Sequence, residues 1–129
     1  MSGRIALDSN VIIALLRTRA NIEPHPFALD VAIPLTVLGE LYAGAYMSAN
    51  KESNLQLLSE FLAGRFILAP DQDTARRYGV LRAHLRGTAP NVAKVNDLWI
   101  AALCLQHNLP LLTNDRGFDS IAELTVIHW

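Results

Sequence analysis

Four carboxylates, Asp8, Glu40, Asp97 and Asp115, stand where apolar segments meet polar breaks, so one fold could bring all four to a single pocket. Acids held within a few ångströms of one another repel unless they are protonated or a cation compensates them. The chain offers no cysteine or histidine cluster suited to zinc. A hard divalent ion with an all-oxygen shell, Mg2+ or Mn2+, is therefore the natural counter-charge. Two such ions about 3.5 to 4 Å apart can activate water and stabilise the leaving oxygen of a phosphodiester, and the same acids could also hold one ion. Any one of these acids alone would be read as a turn or cap residue.

Composition limits what such a pocket can belong to. The 129 residues amount to one domain, 1–129, with enough chain for a real core. Apolar residues make up 51% and charged ones 18%, the balance of a folded globular chain. A net charge of -1 advertises no polyanionic partner, so any nucleic-acid contact must be local. The single cysteine, Cys104, cannot form an internal disulfide, which suits a reducing compartment. Neither a signal-peptide pattern nor an apolar run near the ~20 residues of a membrane helix is visible. The expected location is cytoplasmic.

The elements that must position the acids alternate in type. Ile5 to Leu7 is a short apolar run stopped by Asp8-Ser9-Asn10, and Val11 to Arg17 continues as a helix. A second strand, Val31 to Ile33, meets Pro34; from Leu35, the positions Leu38, Leu41, Tyr42, Ala45 and Tyr46 have amphipathic helical spacing. Leu55, Leu58, Phe61 and Leu62 mark another helix, closed by Gly64. Phe66 to Ala69 is a third strand, and Pro70-Asp71 starts a helix with an expected buried stripe of Ala75, Tyr78, Leu81 and Leu85. Gly87 to Ala93 reads as a loop, and Asn96-Asp97 opens an apolar helix reaching about His107. Leu111 to Thr113 and Leu124 to Ile127 complete about five strands. Strands alternating with helices predict a three-layer α/β/α fold around a mainly parallel sheet, with ligands outside the carboxyl ends of the strands.

At these residues the chain resembles the PIN-domain ribonucleases, and among them the VapC-type toxins of toxin-antitoxin pairs. The resemblance rests on Leu7-Asp8-Ser9-Asn10-Val11-Ile12, Glu40-Leu41-Tyr42-Ala43-Gly44, Asn96-Asp97-Leu98-Trp99-Ile100-Ala101-Ala102 and Leu112-Thr113-Asn114-Asp115-Arg116-Gly117-Phe118. Each piece is weak alone, but the ordered set is fairly specific and spans essentially the whole chain. The resemblance implies that Asp8, Glu40, Asp97 and Asp115 form an acidic metal site, with Ser9, Asn10, Asn96 and Thr113 orienting ligands and water. It further implies a homodimer, a Mg2+-dependent endoribonuclease, structured RNA such as tRNA or rRNA as substrate, and a VapB-type antitoxin that blocks the site. Serine at position 9 departs from the commoner threonine but keeps the hydroxyl, and Asn114 is assigned no role.

RNA affinity needs cations near the pocket. Arg76, Arg77, Arg82, Arg86 and His84 make one helix basic, Lys94 precedes Asn96-Asp97, and Arg116 follows Asp115. Arg82, Arg86, Lys94 and Arg116 are the candidate RNA contacts; an ordinary solvated helix face is the competing account. Asp119 is a conceivable fifth ligand but reads better as a turn residue, and Asp71 and Asp73 read as helix caps. His25, His84, His107 and His128 lack metal-ligand spacing and are assigned to surface or packing. Core packing is the default for Cys104, for Tyr42, Tyr46 and Trp99, and for Leu55, Leu58, Phe61 and Leu62. The two aromatic and leucine groups are also candidates for a dimer contact and a partner groove. A receiver domain or an aspartyl-phosphate hydrolase fits poorly, since Asp8 has no second early acid and position 10 is Asn. The stronger competitor is a catalytically weak PIN domain that binds antitoxin or RNA without cutting.

Overall fold

A computed structural model of the chain describes residues 4–18, 30–86 and 95–129. The expected loop Gly87 to Ala93, Lys94 and His25 lie outside the described residues.

Strand β1 (Ile5–Leu7) is buried along its whole length, and its neighbours explain why. It occupies the middle of a five-stranded sheet ordered β3-β2-β1-β4-β5, with β2 (Val31–Pro34), β3 (Phe66–Leu68), β4 (Leu111–Leu112) and β5 (Val126–Ile127). Every pairing is parallel; Ala6 faces Ala32 on one side and Leu111 on the other. A strand so placed has no polar face to offer, and Ile-Ala-Leu supplies none.

Between these strands run α1 (Ser9–Thr18), α2 (Leu35–Tyr46), α3 (Lys51–Leu62), α4 (Gln72–Leu85) and α5 (Val95–Gln106). The chain winds from β1 through β2 to β3 in one direction, then returns across the sheet to β4. Because parallel crossovers are right-handed, α1 to α3 and the α4–α5 pair cover opposite faces, which gives the expected three layers. The core includes Ile5, Leu7, Val11, Ile12, Ile33, Val37, Ile100, Leu111, Leu112 and Phe118.

Two helices differ from their expected faces. In α2 the buried positions are Val37, Leu41 and Ala45, while Tyr42 and Tyr46 are 39% and 59% exposed. The segment is apolar on most faces, so periodicity gives a helix but leaves the rotation of its buried stripe open. In α4, Thr74 and Leu81 are buried, whereas Ala75 is exposed. The Asp71 carboxylate accepts from the Thr74 N–H at 3.1 Å, and the Thr74 hydroxyl accepts from the Asp71 N–H at 2.9 Å. This capping box turns Thr74 inward, where its hydroxyl also meets the Gln106 side chain at the far end of α5.

The same contact shows that α4 and α5 run antiparallel: Thr74 near the start of α4 meets Gln106 at the end of α5, and Tyr78 stacks on Trp99 with ring centroids 4.3 Å apart. The carboxyl end of α4 therefore lies toward the start of α5. After α3, Gly64 has φ +74, the left-handed conformation that made glycine the expected closing residue.

Candidate active site at the carboxyl ends of the strands

Asp8 ends the central strand and is 4% exposed. A carboxylate placed there must be hydrogen-bonded, and three groups meet it. The Ser9 N–H donates to Oδ1 at 2.8 Å, the Asn10 amide to Oδ2 at 3.1 Å, and the Thr113 hydroxyl to Oδ2 at 2.7 Å. Thr113, wholly buried beyond β4, is the junction of the network. Its hydroxyl accepts from Asn10 at 3.2 Å and from the Asp115 N–H at 3.0 Å while donating to Asp8. Asn10 in turn accepts from the Asn114 N–H at 3.3 Å, a link made through the backbone of a residue given no role.

The other acids arrive from three separate elements. Asp115 precedes a short 3-10 helix (Arg116–Ser120) and caps it, accepting from the Gly117 N–H at 2.8 Å. Asp97 lies in the first turn of α5, where the helix dipole favours an anion. Glu40 projects from the second turn of α2. All four line one cavity of 370 Å³, together with Ser9, Asn10 and Asn96. Of the expected supporting residues, Thr113 alone is not on the cavity surface; it braces the floor from beneath.

Burial and neighbouring charge act together on Asp8 and Glu40. Burial pushes the Asp8 carboxyl above its ordinary value and the Asp115 charge adds to this, against the opposing hydrogen bonds from Thr113, Ser9 and Asn10. Glu40 is raised by burial, then by the charges of Asp8 and Asp97. The Cys104 thiol, in the apolar middle of α5, is pushed up to about 12 by burial and then by Asp8, so it is an inert core group.

The donor set is all oxygen and suits a hard divalent cation. Among the described residues, however, no group of three or more His, Cys, Asp or Glu side chains stands as a ready coordination set. The carboxylates ring an open polar cavity, and a cation would have to draw them inward; the longer Glu40 side chain has the most freedom to follow.

A second cavity, of 470 Å³, adjoins this one. It runs between α1, α2 and α3, is lined mainly by apolar groups such as Ile13, Leu16, Leu57 and Leu58, and includes Arg17. Glu40 lines both cavities. Of the leucines and Phe61 expected at a partner groove, only Leu58 lines it; Phe61 is buried and Leu62 packs on the core. The unforeseen contributors are Ile13 and Leu57, 40% and 42% exposed.

The basic residues separate by position. Arg76 and Arg77 both pair with Asp73 near the start of α4, which satisfies the ordinary helix-face account for those two. Arg82 and Arg86 lie on the exposed carboxyl-terminal part of α4, toward Asp97, without a carboxylate partner among the described residues. Arg116 is 76% exposed and approaches Asp119 at 3.8 Å. Asp119 does not line the cavity; it accepts at 2.8 Å from His128, a residue assigned beforehand to surface or packing.

Comparison with known proteins follows the same order of elements. A family profile described as PIN domain matches residues 5–124. Ribonuclease VapC5 of Mycobacterium tuberculosis is 33% identical over 126 residues, covering 94% of this chain and 92% of that protein. Ribonuclease VapC4 of the same organism is 32% identical over 131 residues, covering 98% of each. Among solved structures, VapBC2 from Rickettsia felis bound to a DNA fragment from their promoter superposes with a TM-score of 0.86 at 27% identity, covering 98% of both chains.

Proposed function

The chain belongs to the PIN-domain family, and from that premise we propose that it is the ribonuclease toxin of a VapBC-type pair, a Mg2+-dependent endoribonuclease that cuts structured RNA, tRNA or rRNA, and so arrests translation. The observation that carries this reading is the convergence of Asp8, Glu40, Asp97 and Asp115, from four separate chain segments, on one cavity at the carboxyl ends of the strands. Asp8, Asp97 and Asp115 would hold the principal Mg2+, or Mn2+, and Glu40 would help bind it or a second ion. The bound cation would lower the pKa of the attacking water and offset charge on the leaving oxygen. Asp8 is kept in orientation by Thr113 and Asn10, Asp115 by Gly117, and Glu40 stands at the cavity edge to position the water. Hydrolysis leaves a 5′-phosphate and a 3′-hydroxyl.

The relatives' antitoxin complexes and the groove beside the site support a VapB-type antitoxin partner, in a hetero-oligomer. A partner segment with apolar side chains would lie between α1 and α3 and reach the acids at Glu40. The outward face of α2, with Leu35, Tyr42 and Tyr46, supports a homodimer contact, since exposed aromatics on one helix face suit an interface. The proposed RNA substrate and the free, buried Cys104 support a cytoplasmic location; no helix among the described residues is long and apolar enough to cross a membrane.

Arg82 and Arg86 are the cations best placed to meet RNA phosphates at the α5 end of the site, with Arg116 exposed beside Asp115 and Lys94 just before α5 in sequence. Replacing Arg82 and Arg86 together by Ala is expected to weaken binding to unrelated RNAs alike. The log–log salt slope should fall by about 0.7 to 0.9 per lost phosphate contact. An unchanged slope in a filter-binding titration would return both residues to the solvated helix face.

The test of the whole reading is incubation of antitoxin-free protein with total RNA, with Mg2+ or EDTA, followed by sequencing of the cut ends. Cleavage only with Mg2+, and a drop exceeding about 100-fold in Asp97→Asn, is the expected result, since even residues behind the ligands are worth about 10 to 100-fold. Metal-independent cutting, or full activity in the variant, would overturn it. The lack of a ready coordination set among the described residues favours one competitor, a PIN domain that binds antitoxin or RNA with little turnover. Tight antitoxin binding without cleavage under any metal condition would establish that competitor.

A further inference from the structure

We propose that His128 is a positioning residue that clamps the Thr113-to-Asp119 turn and so fixes Asp115 and the Thr113 hydroxyl against Asp8. The inference deepens the reading of the acidic site and rests on it for its functional arm only.

The turn carries two of the site's working groups; its first residues are tied to Asp8, Asn10 and Ile127, whereas the part from Asp115 on is closed mostly upon itself. Asp115 accepts from Gly117 at 2.8 Å, and the Ser120 hydroxyl donates to the Gly117 carbonyl at 2.8 Å. Arg116, the other partner of Asp119, belongs to the same short helix and cannot anchor it to anything else. Phe118 anchors the turn in the core through its ring, which fixes depth but leaves rotation about that ring to other contacts.

His128 follows β5 and supplies a polar tie to that later part from outside the short helix. Its Nε2 meets Asp119 Oδ1 at 2.8 Å and its Nδ1 meets the Thr113 carbonyl at 3.2 Å. One ring thus spans the first and a late residue of the turn. A carbonyl and a carboxylate only accept, so a ring nitrogen that carries a proton donates to the oxygen it faces, and the contact to Asp119 Oδ1 is the shorter of the two. The Thr113 N–H is held at 3.0 Å by the Ile127 carbonyl, so the residue whose hydroxyl grips Asp8 is tied to β5 and its neighbour on both sides of its own peptide unit. Rotation of the turn would move the Asp115 carboxylate and the Thr113 hydroxyl together.

The test compares wild type with His128→Ala, Asp119→Asn, and two part-replacements: His128→Asn, which keeps a donor at the Nδ1 position, and His128→Gln, which keeps one at Nε2. Amide hydrogen exchange is followed in metal-free protein, and Mn2+ affinity is measured by calorimetry beside the Mg2+ dependence of cleavage. The clamp predicts exchange about tenfold faster at Asp115 and Gly117 in His128→Ala, with β1 and α5 amides unchanged. It also predicts about a tenfold weaker Mn2+ affinity, in the range typical of residues that orient ligands. At saturating Mg2+ the turnover of His128→Ala should return to near the wild-type value, and one part-replacement should recover most of the lost protection. Asp119→Asn should show a smaller loss at the same two amides. Unchanged exchange there in both His128→Ala and Asp119→Asn would overturn the proposal. Uniform acceleration across the sheet would overturn it too, because it reports general destabilisation. The exchange arm needs neither metal nor RNA, so it stands or falls separately from the ribonuclease reading.

Discussion

Asp8→Asn is expected to abolish RNA cleavage while making the stability of the metal-free protein less dependent on pH. The substitution keeps the shape of the side chain but removes the charge from the floor of the cavity, so any cation held there loses its most central ligand. A loss of about 100 to 1,000-fold or more is the scale on which single preorganised electrostatic groups act. The change in pH dependence follows from the raised pKa of Asp8, whose first cause is burial. A carboxyl with a folded-state pKa above its unfolded one favours folding fully at pH below the unfolded value, and loses that benefit as pH rises through the folded one. Glu40 acts with the same sign. Asp71 and Asp73 act oppositely: the capping hydrogen bond from Thr74 and the Arg76 contact hold them low, so their contribution is present near neutrality and lost in acid. Metal-free wild type should therefore lose this contribution as pH rises above 3.8, the ordinary value of the Asp8 carboxyl, and through its raised folded value, and Asp8→Asn should lose less. Saturating Mg2+ should restore the neutral-pH stability of wild type and leave the variant nearly unmoved. Melting curves across that range, beside a cleavage assay, check both halves; a variant that still cuts RNA removes Asp8 from the mechanism.

Phe118→Ala should cost about 3 to 5 kcal/mol of stability, the usual range for emptying a buried aromatic site. Phe118 heads the largest fully buried side chains, with no surface exposed, and sits three positions after Asp115 in the 3-10 helix. Total stability of a domain is about 5 to 15 kcal/mol, so the change consumes a large share of it. Urea titration should show a lower midpoint at unchanged slope. Mg2+ affinity should fall as well, because the same ring holds the Asp115 turn at its depth. A destabilisation below about 1 kcal/mol would mean that the turn refills the space, as sites able to collapse do.

The acids were legible in the sequence because each interrupts an apolar run: Leu7 to Asp8 is a change from strand to polar cap in one step, and Leu112-Thr113-Asn114-Asp115 repeats it. The strand order was not written in any local signal, but alternation of strands and helices was enough for the layers. Rotation of α2 escaped because Leu, Val, Ala and Tyr fall on nearly every side of that helix. Thr74 displaced Ala75 from the buried stripe through a hydrogen bond, which hydropathy does not register. The division of the arginines depended on Asp73 standing three and four residues before Arg76 and Arg77, a spacing visible in the sequence that pairs them on a helix. His128 carried no spacing signal, since its partners are a backbone carbonyl and a carboxylate nine residues away.

The Thr113 hydroxyl grips a carboxylate 105 positions earlier in the chain. A ribosome adds Asp8 to the chain 105 residues before Thr113, at about 5 to 20 residues per second, with β4 emerging just ahead of that threonine. Throughout that interval β1 has no β4 beside it, and the growing polypeptide holds its acids without the geometry to use them. The cavity is complete only once β4 has emerged and inserted next to β1, so a chain broken off before that point carries Asp8 without the hydroxyl that grips it.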